Sequence, residues 1–152
     1  MARSTLETFG RLSGSAIGRW LFSRLVCWRA PYFASIHPRI ETLEPGRCVV
    51  RLRQRRRIQN HIGTVHAIAM CNAAELVAGT MTDVSIPAGS RWIPKGMTVE
   101  YLAKAKTDLR AVADGSGVDF SQPGDVVVPV EVFDEAGQKV FSARITMNVK
   151  PG

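Results

Sequence analysis

The sequence predicts an α+β domain in which an antiparallel sheet wraps one buried helix, with a further helix at the N-terminus. Three observations carry this. Residues 66–79 are rich in helix formers and hold one charged side chain, Glu75, so their helix is apolar nearly all round and belongs inside the molecule. Segments on either side alternate apolar and polar residues at strand period, with turn signals between them. Strands grouped around a single helix, rather than alternating with helices, indicate antiparallel pairing. A chain of 152 residues, 45% of them hydrophobic, suits one domain with a real core and excludes disorder over most of its length.

Residues 5–30 read as the first helix. Leu6, Phe9, Leu12, Ile17, Trp20, Leu21, Leu25 and Trp28 recur every three or four positions, and Pro31 stops the run. An Arg-rich transit peptide and a helix lying flat on a membrane both fit, since Glu7 is the one acid before Glu41. The expectation is a helix packed on the domain, because Gly10, Gly14 and Gly18 each weaken a free-standing helix by up to about 1 kcal/mol. The stretch from Trp20 to Trp28 is too short for a membrane span and is broken by Ser23 and Arg24. These signals place a helical extension at 1–32 and a single domain at 33–152.

Strands are expected at 33–43 and 47–54, joined at Glu44-Pro45-Gly46. In the second, Val49, Arg51 and Arg53 alternate with Val50 and Leu52, which gives one basic and one apolar face. The central helix is expected over 64–79, with Gly79 as its C-cap. Further strands are expected at 97–106 and 108–118. A hairpin follows over 125–134 and 139–149, turning at Asp134-Glu135-Ala136-Gly137. Val126, Val128, Val130 and Val132 share one face of its first strand, and Phe141, Ala143, Ile145 and Met147 one face of its second.

The net charge of +7 is local. Residues 1–65 hold 12 Lys/Arg and 3 Asp/Glu, whereas residues 66–152 hold 8 and 10. The densest part, Arg51 to Arg57, attracts an anion: phosphates of nucleic acid, a phosphorylated cofactor or an acidic lipid surface. It is equally readable as a solvated strand edge. Nucleic acid is set aside because no aromatics interleave with the arginines and no binding motif is present. Cys27, Cys48 and Cys71 are far apart with no CxxC, so neither a disulfide framework nor a metal site is expected, and a reducing, cytoplasmic setting fits unless the N-terminus is a removed signal.

Glu75 and His66 are the candidate chemical groups. A carboxylate in an otherwise apolar helix is costly to bury unless paired or hydrogen-bonded, and the alternative is that it faces solvent. Nine residues correspond to about 900° of helical rotation, half a turn net, so His66 and Glu75 point to opposite sides of one helix. A site that uses both needs a second subunit.

Asn60-His61-Ile62-Gly63-Thr64-Val65-His66, followed nine residues later by Glu75, resembles the signature of hotdog-fold acyl-CoA thioesterases, in the branch related to phenylacetyl-CoA thioesterase. That signature is Asn or Gln, two residues, Gly, two residues, His-Gly-Gly, and an acid nine residues after the His. The resemblance covers about 33–149, and the N-terminal helix with the segment Arg91 to Leu102 resembles an uncharacterised bacterial branch of the superfamily. It implies that Glu75 activates water or attacks the thioester, that Asn60 positions the carbonyl or the water, and that His66 is the motif histidine. The backbone N–H groups near Ala67 and Ile68 would polarise the carbonyl. Gly63 and Arg55, Arg56 and Arg57 would contact the substrate. Ala67 and Ile68 stand where the motif has two glycines. Four residues after Glu75, where some relatives carry Ser or Thr, this chain has Gly79, followed by Thr80. The implied molecule is a homodimer or dimer of dimers that hydrolyses an acyl-CoA or acyl-carrier thioester. It would need no cofactor beyond the CoA of its substrate, no metal and no nucleic acid. The alternative is an acyl-CoA-binding or structural module without hydrolysis.

Overall fold

The N-terminal segment folds as two helices rather than one. The computed structural model describes residues 2–152, with α1 at Ala2–Leu12 and α2 at Ala16–Arg29. The apolar periodicity runs through Ser13-Gly14-Ser15, but Ser15 caps α2 by accepting the Gly18 N–H at 3.0 Å. Gly18 also lets the helices meet: a Cβ there would lie 1.8 Å from the Leu12 carbonyl oxygen. Phe9 and Phe22 pack edge to face, 5.0 Å between ring centres, and both join the main core. Ser23 ties α2 to the sheet, accepting from the Ile40 N–H and donating to the Arg19 carbonyl, both at 2.8 Å. Pro31 then opens a 3-10 turn, Pro31–Ile36, where the first strand was expected to begin.

Six strands form one antiparallel sheet: β1 (Arg39–Glu44), β2 (Arg47–Leu52), β3 (Arg91–Tyr101), β4 (Leu109–Asp114), β5 (Gly124–Phe133) and β6 (Lys139–Lys150). Their spatial order is β1-β2-β4-β5-β6-β3. The expected turn at Glu44-Pro45-Gly46 is present, with Gly46 at φ 79°. The expected hairpin is β5–β6, and its predicted apolar faces are buried from Val128 to Val132 and from Phe141 to Met147. β3 starts at Arg91 rather than near residue 97, because a bulge between Pro94 and Gly96 breaks the alternation that marks a strand. β3 ends the sheet order, so its outer edge has no partner strand among the described residues.

α3 (Ala67–Ser85) lies against β2, β4, β5 and β6. Ala69, Ala73, Ala74 and Ala78 are buried along it, and their small size lets the sheet approach closely. The helix does not end at Gly79. That glycine sits mid-helix under Trp92, where a Cβ would come within 2.6 Å of the indole ring. Gly79→Leu therefore sets two effects against each other. Better helix propensity contributes about 1 kcal/mol of stability. Displacing Trp92 costs about 1–3 kcal/mol of overpacking, more where the indole also loses its bond to Asp83. A lower urea midpoint is expected. A raised midpoint would show that the indole moves aside freely.

Candidate active site

The segment before α3 is held by its own hydrogen bonds. The Asn60 Oδ1 accepts from the Ile62 and Thr64 N–H groups, both at 3.1 Å, and its Nδ2 donates to Thr64 Oγ1 at 2.8 Å. Gly63, at φ 79°, closes this turn in a conformation that favours glycine. Val65 anchors the loop to the β3–β4 connection through Ala105, and the His66 N–H donates to the Ile58 carbonyl at 2.7 Å. Asn60 thus shapes the loop that launches the central helix.

His66 is the N-cap of α3. Its Nδ1 accepts the Ile68 N–H at 3.0 Å, which leaves Nε2 as the ring's outward donor when the imidazole is neutral. Of the two N–H groups expected to polarise a carbonyl, the Ile68 one is thereby taken. The Ala67 N–H makes no hydrogen bond among the described residues. His66 lines a hollow of about 330 Å³ with Tyr32, Arg57, Ile68 and Asn72.

Glu75 lines a different cavity. It is partly buried at the edge of a space of about 460 Å³ between α2, α3 and the start of β3, walled by Val26, Phe33, Leu76 and Trp92. Thr80 lines the same space, so a hydroxyl is present one position beyond the expected one. Asp83 lines it too and was missed from the sequence, because the helix was expected to end before it. Asp83 accepts from Trp92 Nε1 at 3.3 Å and from Thr5 Oγ1 at 3.1 Å, so it positions the indole. One turn before Glu75 on α3, the Cys71 thiol lies 3.5 Å from the Tyr101 hydroxyl, a contact that, with some burial, raises the pKa of that phenol.

One chain therefore does not bring Glu75, Asn60 and His66 together. The arginine run is divided as well. Arg57 lines the His66 hollow, Arg56 is exposed, and Arg55 lines a cleft of about 430 Å³ with Arg24, Arg39 and Arg53. His37 lines that cleft, and burial followed by the charges of Arg55, Arg24 and Arg57 pushes its pKa down, towards the neutral ring.

A curved antiparallel sheet around one long helix, entered through a histidine-capped turn, defines a hotdog-fold protein. The chain belongs to the family of the domain of unknown function DUF4442, whose model matches residues 18–149. It is 53% identical to the structural-genomics protein APC5556, over 97% of this chain and 98% of that one, with a TM-score of 0.87. A thioesterase family protein from Silicibacter pomeroyi superposes with a TM-score of 0.74 at 19% identity, covering 86% of this chain and 96% of that one. A thioesterase from Haemophilus influenzae superposes equally, at 12% identity, over 84% and 87% of the two chains. These two likenesses establish the fold. Among curated proteins, none matches the sequence.

Proposed function

We propose that the protein hydrolyses an acyl thioester, with CoA or a carrier as the thiol half, at sites shared between two copies. The observation that carries this is Glu75, a carboxylate on the central helix opening into an apolar cavity large enough for an acyl chain. The thioesterase names of proteins with this fold support it. Glu75 takes a proton from water as the water oxygen attacks the carbonyl carbon, or its own oxygen attacks. The tetrahedral oxyanion is held by the Ala67 N–H at the helix start of the other copy, assisted by that copy's His66 Nε2. Collapse breaks the C–S bond: on the water route the sulfur leaves with the proton Glu75 had taken, and on the direct route the acyl group stays on Glu75 as an anhydride that water then hydrolyses, its proton going to the thiolate. Hydrolysis of a series of acyl-CoAs, followed by released thiol, tests the reading. No turnover across short, medium, long and aromatic acyl groups would leave a binding module.

The second copy is argued from β3. Tyr101, Val99 and Met97 lie opposite Phe141, Ala143 and Ile145, so they share the helix-facing side of the sheet. Yet Tyr101 and Met97 are exposed, as is Ile68 on α3, and the adjoining strand edge is unpaired. An open strand edge flanked by exposed apolar side chains, here over residues 97–101, is a pairing surface. Light scattering at micromolar concentration is expected to give a dimer or a multiple of it. A stable, folded monomer would remove the shared site.

Arg55, Arg56 and Arg57 serve the phosphates of the thiol half. Changing all three to Ser is expected to raise KM with kcat nearly unchanged, because contacts remote from the scissile bond are equal in ground and transition states. A large fall in kcat at constant KM would place them in the chemistry instead.

A further inference from the structure

α2 is apolar on both sides. Gly18, Phe22, Ser23 and Cys27 pack inward, while Ile17, Trp20, Leu21, Leu25 and Trp28 point outward, with Ile17 73% and Trp28 82% exposed. Tyr32, 72% exposed, follows in the next turn. Such a face is not left bare without a use. The one charged side chain within the outward stripe is Arg24. Its Nε is buried without a hydrogen-bond partner, and its terminal nitrogen reaches the Pro38 carbonyl only at 3.5 Å. Arg24 and Trp20 line the same cleft as Arg39 and Arg53. Neither Arg39 nor Arg53 has a carboxylate within 4.0 Å among the described residues. α2 itself holds no acidic residue.

We infer that this face docks on an anionic lipid bilayer, with α2 lying in the plane of the interface. The outward aliphatic residues enter the boundary between headgroups and acyl chains, and Trp20, Trp28 and Tyr32 sit at headgroup depth. Arg24, Arg39 and Arg53 meet lipid phosphates. Charge decides against a second copy as the occupant, because a two-fold contact through this stripe sets Arg24 and its neighbours against their own images. Length decides against a span: 14 residues reach about 21 Å, short of the roughly 30 Å hydrocarbon layer.

The test is flotation of the full chain with phosphatidylcholine vesicles and with vesicles that also carry phosphatidylglycerol. Binding is expected to the anionic vesicles only and to weaken with added salt. Leu21→Ser with Trp28→Ser should reduce the bound fraction about tenfold, with circular dichroism unchanged because both side chains are exposed. Arg39→Gln with Arg53→Gln should reduce it as well, most at low salt, where the lost charges are least screened. In the wild type, brominated lipid should quench tryptophan emission, a readout that needs no variant. Several outcomes overturn the proposal: no flotation with either vesicle, equal flotation with both, or flotation that the Leu21 and Trp28 changes do not affect. A drop in oligomer mass on those changes, with no vesicle binding by the wild type, would assign the face to self-association.

Discussion

Glu75→Gln is expected to lower kcat by a factor on the order of 10² or more, with fold and oligomer intact. The substitution keeps size and polarity and removes the charge, turning one acceptor oxygen into a donor nitrogen. Thioester hydrolysis needs a group that accepts a proton from water or attacks the carbonyl, and a carboxylate can do either, whereas a neutral amide does neither. Glu75 lies on the central helix at the edge of a cavity walled by Val26, Phe33, Leu76 and Trp92. Asp83 supplies the internal control. It lines the same cavity, but its oxygens accept from Thr5 and Trp92, so Asp83→Asn should act on stability and change kcat by less than about tenfold. Initial rates against a responsive acyl-CoA, with light scattering on each variant, decide the matter. Unchanged hydrolysis by Glu75→Gln would make that residue a space-filling group and move the search to Asp83.

The two carboxylates also show where sequence reading succeeds and where it stops. The buried central helix was legible because its alanines and the near absence of charge leave one physical solution. The β5–β6 hairpin was legible because valine alternation matches strand period over its whole length. The helix end was misread at Gly79, since a glycine that ends a helix and a glycine that admits a neighbouring ring look alike in one dimension. Only Trp92, thirteen positions on, tells them apart. That error hid Asp83. The break between α1 and α2 was hidden in the same way, because apolar residues on both sides of Ser13-Gly14-Ser15 keep helical spacing while Ser15 restarts the chain. Pro94 and Gly96 masked the first half of β3 by shifting its register. Residue types and spacing single out Glu75, Asn60 and His66 as the candidate site. What the spacing could not show is that Asn60 and His66 both hold the backbone around the start of α3, through Thr64 and Ile68.

Mixing two inactive variants is expected to restore activity. Along α3, His66 and Glu75 are about 13.5 Å apart in axial rise and half a turn apart in direction, so one chain cannot bring both to the same carbonyl. In the structure they line separate hollows. In a two-fold dimer each site would take Glu75 from one copy and His66 from the other. The Glu75→Gln dimer then lacks its carboxylate in both sites. For the second variant, His66→Asn is preferable to alanine, because asparagine still offers an oxygen to the Ile68 N–H and preserves the helix start while removing Nε2. A mixed dimer holds one site with both native groups and one with neither. Random assortment makes half the dimers mixed, so the mixture should recover about a quarter of wild-type activity. Co-expression with different affinity tags, followed by isolation of the mixed dimer, raises this to about half. A mixture no more active than the average of its two parents would mean that each chain carries its own complete site, and that the opposed directions of His66 and Glu75 reflect a capping histidine with no part in the reaction.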